Sequence, residues 1–405
     1  LASREGSNPS CHALAESVAP LVTTPRIAPM CFSDGLGVQV YPNRSVTEGP
    51  RAIQTTGLPS RVLLGSTFDP ELVNAVGQVE GAEGRGLMIT GLLGPQVDTD
   101  VFVNWHRGVD TPGEDPYLNG VIGAAEVNGI QGQGLMAQLK HYAGYNGTSE
   151  KRIVSYQDQA LHETILTPYE HAVKQGGVAS VMCSYQTIRD VSKRLPGPVD
   201  ALAPASPYAV AGSARTWPLD EAHWSCEQPL ILTYVLRNLW GSAAFVGTDY
   251  GAAHSTHAIL QGQDREDPSA TYFSGGDPDA QPALGPGGQA MPGMGNLALD
   301  ATSSTCADAA GRAVSCTTPG AVHVAGIPGP GCPATGCGLA NAVANGTVPL
   351  AVFKQALARV LYQQERFGLL GCDNTSSDCA NPGGVGGDRS GTAPLPLGAI
   401  GGVPV

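Results

Sequence analysis

Short apolar runs that each end in a polar side chain recur along this chain. Pro29 to Phe32 leads into Ser33 and Asp34, and Leu135 to Leu139 into Lys140 and His141. Val178 to Cys183 leads into Ser184 and Tyr185, and Ala243 to Val246 runs on to Asp249 and Tyr250. Such runs, bounded by turn residues, read as buried strands. Helical spacing fills the intervals. Asp69-Pro70 opens a helix through about Glu83, with Leu72, Val73, Val76 and Val79 on one face. Asp158 to Lys174 aligns Leu161, Ile165, Leu166 and Tyr169; Cys226 to Leu239 and Val348 to Phe367 are patterned alike. Strands alternating with helices predict an α/β parallel sheet, and the length favours a closed (β/α)8, TIM-like barrel. Strand C-termini in such a barrel open on one face, so the polar groups are expected to converge on one pocket.

Two stretches break the alternation. Asp267 to about Pro328 is rich in Gly, Pro, Ala and Asp and reads as a long loop excursion on the pocket side. Asp373 to Val405 has no periodicity and reads as an irregular tail or linker. The expected division is a barrel domain over 1–370 and a Gly/Pro-rich tail over 371–405.

Charge narrows the function. The net charge is −13 with only 14% charged residues, so basic patches for nucleic acid are not expected and a neutral ligand suits the surface. No apolar stretch of about 18 residues occurs, so no membrane span is expected. The ten cysteines form no CxxC pair and no Cys/His cluster with zinc spacing, which argues against a metal site; no cofactor is expected. Close pairs at Cys306/Cys316, Cys332/Cys337 and Cys372/Cys379 each suit a local loop closure, and an even count favours an oxidising compartment. Sequons at Asn43, Asn146, Asn345 and Asn374 point the same way, to a secreted glycoprotein.

Six short motifs then fall in one order. They are Ser33-Asp34-Gly35, Thr67-Phe68-Asp69, Arg107 with Gly113-Glu114-Asp115-Pro116-Tyr117, Lys140-His141-Tyr142, Met182-Cys183-Ser184-Tyr185 and Thr248-Asp249-Tyr250. From about Leu14 to Leu370 the chain resembles the N-terminal barrel domain of glycoside hydrolase family 3, near its secreted β-glucosidases. Departures stand at Gln186, where Asn is usual, and at Gly108 and Asp110, where Asn and Glu are common. One extra residue follows the Lys-His pair.

The resemblance implies a retaining, exo-acting β-glycosidase, a β-glucosidase in the first place and a β-xylosidase in the second. Its substrate is a β-linked oligosaccharide or glycoside. Asp249 is then the nucleophile that forms a glycosyl-enzyme. Asp34, Arg107, Lys140 and His141 hydrogen-bond sugar hydroxyls, Tyr185 supports the nucleophile, and Tyr250 walls the sugar. Cys183 and Cys226 match a cysteine pair of secreted relatives, and Cys11 with Cys31 completes the pairing. A retaining mechanism needs a second carboxyl group about 5–5.5 Å from the first as acid/base. In the family a second, αβα-sandwich domain supplies that Glu, so here it is expected from a second domain or chain. A smaller branch instead uses a His in the loop after the Lys-His pair; here that loop, Ala143 to Arg152, has no His. Internal candidates are Glu150, Glu163 and Glu266. Without an acid, the alternative is a carbohydrate-binding barrel with little turnover.

Overall fold

The structure, a computed structural model, describes residues 13–15, 30–35, 55–87, 89–146, 153–190, 223–253, 255–267, 273, 306–307, 313–314, 322–323, 338–346 and 348–369. Strands β1 (Ala13–Ala15), β2 (Met30–Asp34), β3 (Gly91–Leu93), β4 (Met136–Tyr142), β6 (Ser180–Cys183) and β9 (Phe245–Thr248) form one sheet in the order β1-β2-β3-β4-β6-β9. β1 runs antiparallel to β2, and every later neighbour is parallel. The remaining strands of the middle of the chain, β5 (Ile153–Tyr156), β7 (Thr187–Asp190) and β8 (His223–Trp224), make a separate three-stranded sheet.

The architecture is a mostly parallel α/β sheet with helices on its outside. It is also strongly curved. β2 and β9 are four places apart in the sheet order, yet the rings of Phe32 and Phe245 meet edge to face with centroids 6.5 Å apart. The described strands do not close into a ring, so the eightfold closure expected from the alternation is not drawn by them.

Helix starts follow the sequence signals. Pro70–Gly86 and Pro116–Gly132 each begin with Pro at the first turn behind an Asp cap: Asp69 accepts the N–H of Leu72, and Asp115 those of Tyr117 and Leu118. The first of these helices turns a different face inward from the one expected. Leu72 and Val79 are exposed, while Val73, Gly77, Gly81 and Gly84 are buried. The cause is a close helix crossing: a Cβ on Gly129 would stand 2.2 Å from the Asn74 carbonyl oxygen, and one on Gly77 would stand 2.5 Å from that of Glu126. Glycine is required at this crossing.

The helix expected over Asp158 to Lys174 is broken in two. A widened turn, Leu161–Ile165, closes with Leu166 N–H on the Leu161 carbonyl, and a fresh helix runs over Thr167–Gly176. Pro168 explains the break, because it has no N–H for the carbonyl of Thr164; the Thr99 hydroxyl bonds that carbonyl instead. The helices expected over Cys226 to Leu239 and Val348 to Phe367 run over Leu230–Leu239 and Leu350–Arg366, each directly behind a proline, Pro229 or Pro349. Among the described residues no helix is long and apolar enough to cross a membrane.

One buried ion triad fixes the strand that matters most. Asp264 receives Arg237 Nη2 at 2.9 Å, Arg359 Nη2 at 2.6 Å and the N–H of Val246 in β9 at 2.9 Å. The 371–405 tail, most of the 267–328 excursion, the three local cysteine pairs as bridges, Cys11, Asn43 and Asn374 lie outside the described residues, as does the side chain of Cys31.

Candidate active site

Parallel strands deliver their ends to one edge of a sheet. Here β2 brings Asp34, β4 brings Lys140 and His141, and Tyr185 and Asp249 follow directly on β6 and β9. Arg107 arrives from the loop after β3. The structure gathers all six.

Asp249 is the centre of the group and is only 7% exposed. Its two oxygens have different surroundings. Oδ1 accepts the Tyr185 hydroxyl at 2.9 Å and the Tyr250 backbone N–H at 2.7 Å. Oδ2 faces His141 Nε2 across 3.5 Å. Burial pushes the Asp249 carboxyl up to about 6, against the pull of Tyr250, Tyr185, Lys140 and Arg107.

The cations stand around it. Lys140 Nζ pairs with half-buried Asp34 at 3.4 Å, and burial lowers its pKa despite that partner. Arg107 Nε donates to Asp110 at 3.0 Å and its Nη1 reaches His141 Nε2 at 3.3 Å. Burial opposes the Arg107 charge, but Tyr145, Asp110 and Asp249 outweigh it and hold its pKa above the ordinary value. Desolvation, with Arg107, Lys140 and Arg61 nearby, holds His141 well below the usual imidazole range, so the ring is neutral.

Sequence reasoning missed three residues. Asp98 Oδ2 lies 3.2 Å from His141 Nδ1 and accepts the His141 backbone N–H at 3.0 Å. The Tyr169 hydroxyl is 2.7 Å from Asp98 Oδ1 and equally from the His141 carbonyl. Tyr145 sits against the His141 ring at 4.7 Å, the Arg107 guanidinium at 5.6 Å and the Tyr185 ring at 6.0 Å, filling the space between them. Asp98 carried a fainter signal: it follows the apolar pair Leu92-Leu93 after the intervening Gly94-Pro95-Gln96-Val97.

Geometry bears on three further expectations. The Tyr250 ring packs in the apolar cluster of Met30, Phe32, Met182 and Phe245, and its backbone N–H serves Asp249. Asn146 is 2% exposed, donates to the Thr99 carbonyl and accepts from Tyr156, so its amide has no room for a glycan. Asn345 is exposed. Glu163 is exposed on its helical turn and bonded by Gln159, away from acid duty, while buried Glu266 accepts the Phe273 N–H at 2.7 Å. Glu150 lies outside the described residues.

Cys183 and Cys226 are joined in a disulfide. It clamps the end of β6, two residues before Tyr185, to the turn Ser225–Glu227. The Cys183 carbonyl also accepts the Asp249 N–H at 3.0 Å, so the clamp adjoins the pocket.

The family model for the glycosyl hydrolase family 3 N-terminal domain matches residues 43–271, more than half of the chain. The chain belongs to glycosyl hydrolase family 3. Among its curated relatives are a β-glucosidase of Rhizobium radiobacter, 29% identical over 240 residues, and the probable β-glucosidase L of Aspergillus terreus, 30% identical over 229. These alignments cover 56% and 54% of this chain but only 25% and 26% of the relatives, so the chain spans about a quarter of their length. The family fold is seen in β-glucosidase 3B of Thermotoga neapolitana, at a TM-score of 0.61 and 20% identity over 89% of this chain and 38% of that one. The β-glucosidase DesR of Streptomyces venezuelae, solved with D-glucose, aligns at 26% identity and a TM-score of 0.53 over 84% of this chain and 32% of that one.

Proposed function

We propose that this family 3 chain is the nucleophile-bearing part of a retaining, exo-acting β-glucosidase. The observation that carries the reading is the asymmetry of Asp249. Two donors tie Oδ1, and Oδ2 is turned toward the pocket groups. Oδ2 attacks the anomeric carbon of the terminal non-reducing sugar, the glycosidic C–O bond breaks, and a glycosyl–Asp249 ester forms. Water then attacks the same carbon and regenerates the carboxylate. Asp34, Lys140, Arg107 and His141 hold the sugar hydroxyls, since a sugar presents both donors and acceptors. The glucose specificity rests on the relatives' names.

The acid/base that protonates the departing oxygen belongs, on this reading, to a second domain or chain outside these 405 residues. The sheet completes a (β/α)8 barrel, a reading supported by its curvature and by the parallel pairing of Gly247 with Arg265 beyond β9. Secretion fits the disulfide and the cysteine count.

An activated 2-fluoroglucoside tests the reading. It should esterify Asp249, visible as a mass shift on the peptide that contains it. Binding of glucosides with no labelled carboxylate would replace this reading with a carbohydrate-binding barrel, and labelling elsewhere would move the nucleophile.

A further inference from the structure

The buried Asp98, 2% exposed, has three donors aimed at it. We infer that Asp98 is a positioning residue that holds neutral His141 in the Nδ1–H tautomer, so that His141 Nε2 presents its single lone pair to Arg107 or, in exchange, to a sugar hydroxyl. The inference deepens the proposed glycosidase reading and rests on it for the word sugar.

The hydrogen-bond inventory decides the tautomer. A guanidinium only donates, so the nitrogen facing Arg107 Nη1 at 3.3 Å must accept. A neutral imidazole has one donor nitrogen and one acceptor. The proton is therefore on Nδ1, directed at Asp98 Oδ2 at 3.2 Å. That oxygen also takes the His141 backbone N–H, which fixes the ring about its own main chain. Tyr169 completes the carboxylate from the other side. Burial raises Asp98 to about 7, while the Tyr169 and His141 hydrogen bonds and Arg107 favour its charged form.

The consequence reaches the nucleophile. With Nε2 unprotonated, no proton lies in the 3.5 Å gap between His141 and Asp249 Oδ2. Oδ2 is then not spent on a hydrogen bond to His141 and stays a free attacking oxygen. The gap instead has two acceptors side by side, which suits a hydroxyl that donates into it. The opposite tautomer would cap Oδ2 and blunt the attack.

The test is the 15N spectrum of [15N]histidine-labelled protein, recorded near pH 8, about one unit above the Asp98 value. A His141→Gln sample assigns the signal. The expected wild-type spectrum has Nδ1 protonated and Nε2 bare. Asp98→Ala should move the proton to Nε2. Asp98→Asn should restore the wild-type pattern, because its carboxamide oxygen still accepts both His141 donors while the Tyr169 hydroxyl turns its proton to the His141 carbonyl, 2.7 Å away. A wild-type spectrum with Nε2 protonated overturns the inference. So does a folded Asp98→Ala protein that keeps Nδ1–H, or an Asp98→Asn protein that loses it. If Asp98→Ala does not fold, the wild-type and Asp98→Asn spectra decide. None of these readouts needs turnover, so a protein whose Asp249 takes no label from the activated 2-fluoroglucoside would count against the glycosidase reading and leave the tautomer to be judged separately.

Discussion

Tyr185 donates its hydroxyl to Oδ1 of Asp249 across 2.9 Å, joining the ends of β6 and β9 through the carboxylate that the proposed chemistry needs. The bond favours the charged carboxylate and opposes the burial that lifts Asp249 to about 6. Tyr185→Phe should therefore raise the Asp249 pKa and move the acidic limb of kcat/KM to higher pH. The kcat should fall by about 10- to 100-fold, the worth of about 1.5–3 kcal/mol for a hydrogen bond to a charged group. An unmoved limb in the Phe variant would separate Tyr185 from the nucleophile.

In the wild-type protein the sign of the pH dependence follows from Asp249 alone. Attack needs the carboxylate, and burial keeps the proton on until about pH 6. Activity should rise as pH increases through that value and fade below it. A free-enzyme limb near the ordinary carboxylate range would mean that the pocket is wetter than its burial indicates.

Removal of the proposed nucleophile is the sharper experiment. Asp249→Ala should lower kcat by orders of magnitude, because the covalent route is lost. The thermal midpoint should change little, since the carboxylate is held by two donors and not by a buried ion pair. An Asp249→Ala protein with near wild-type turnover would end the assignment.

The strand behind the nucleophile depends on a different carboxylate. Asp264 holds Arg237, Arg359 and the Val246 N–H at once, all buried. Asp264→Ala leaves two buried cations without their partner and should cost about 3–5 kcal/mol. Denaturant unfolding measures it. A loss below about 1 kcal/mol would show that the arginines find solvent or other acceptors.

Much of this site was legible along the chain, for a physical reason. A strand of four to seven residues that ends at a rim needs apolar positions and then a polar one, and Asp34, Lys140, Tyr185 and Asp249 obey that pattern. Asp98 obeys it too, but its polar position comes five residues after the short strand β3, through irregular backbone that has no period. Tyr169 was hidden differently. It lies on the apolar face of a helix, where a phenol reads as core until its hydroxyl is seen to reach across to Asp98. The helix register over Pro70–Gly86 was misread because glycines at a close crossing carry no hydrophobic signal. Asn146 shows the limit of a three-residue motif, which says nothing of burial.

The disulfide offers a test that combines stability with the pocket. Cys183–Cys226 closes a separation of 43 residues and ends beside the Asp249 N–H. Replacing both cysteines with serine should cost about 2–5 kcal/mol, the usual range for a native bridge in a secreted domain. Peptide mapping without reduction should recover the 183–226 link. Free thiols at both positions would remove the bridge from the pocket's supports.

Dependence on the leaving group bears on the acid. Protonation of the departing oxygen matters most where that oxygen leaves as a poor alkoxide, and least where it leaves as a nitrophenolate. Described carboxylates around the pocket are already committed: Asp34 to Lys140, Asp98 to His141, Asp110 to Arg107 and Asp267 to Arg265. The 405-residue chain alone should therefore cleave a nitrophenyl β-glucoside slowly and cellobiose far more slowly still. Addition of the second domain or chain proposed to carry the acid should raise cellobiose turnover much more than nitrophenyl turnover. Rapid cellobiose cleavage by the chain alone would place the acid within it, and Glu150 and Glu266 would then be the first residues to replace.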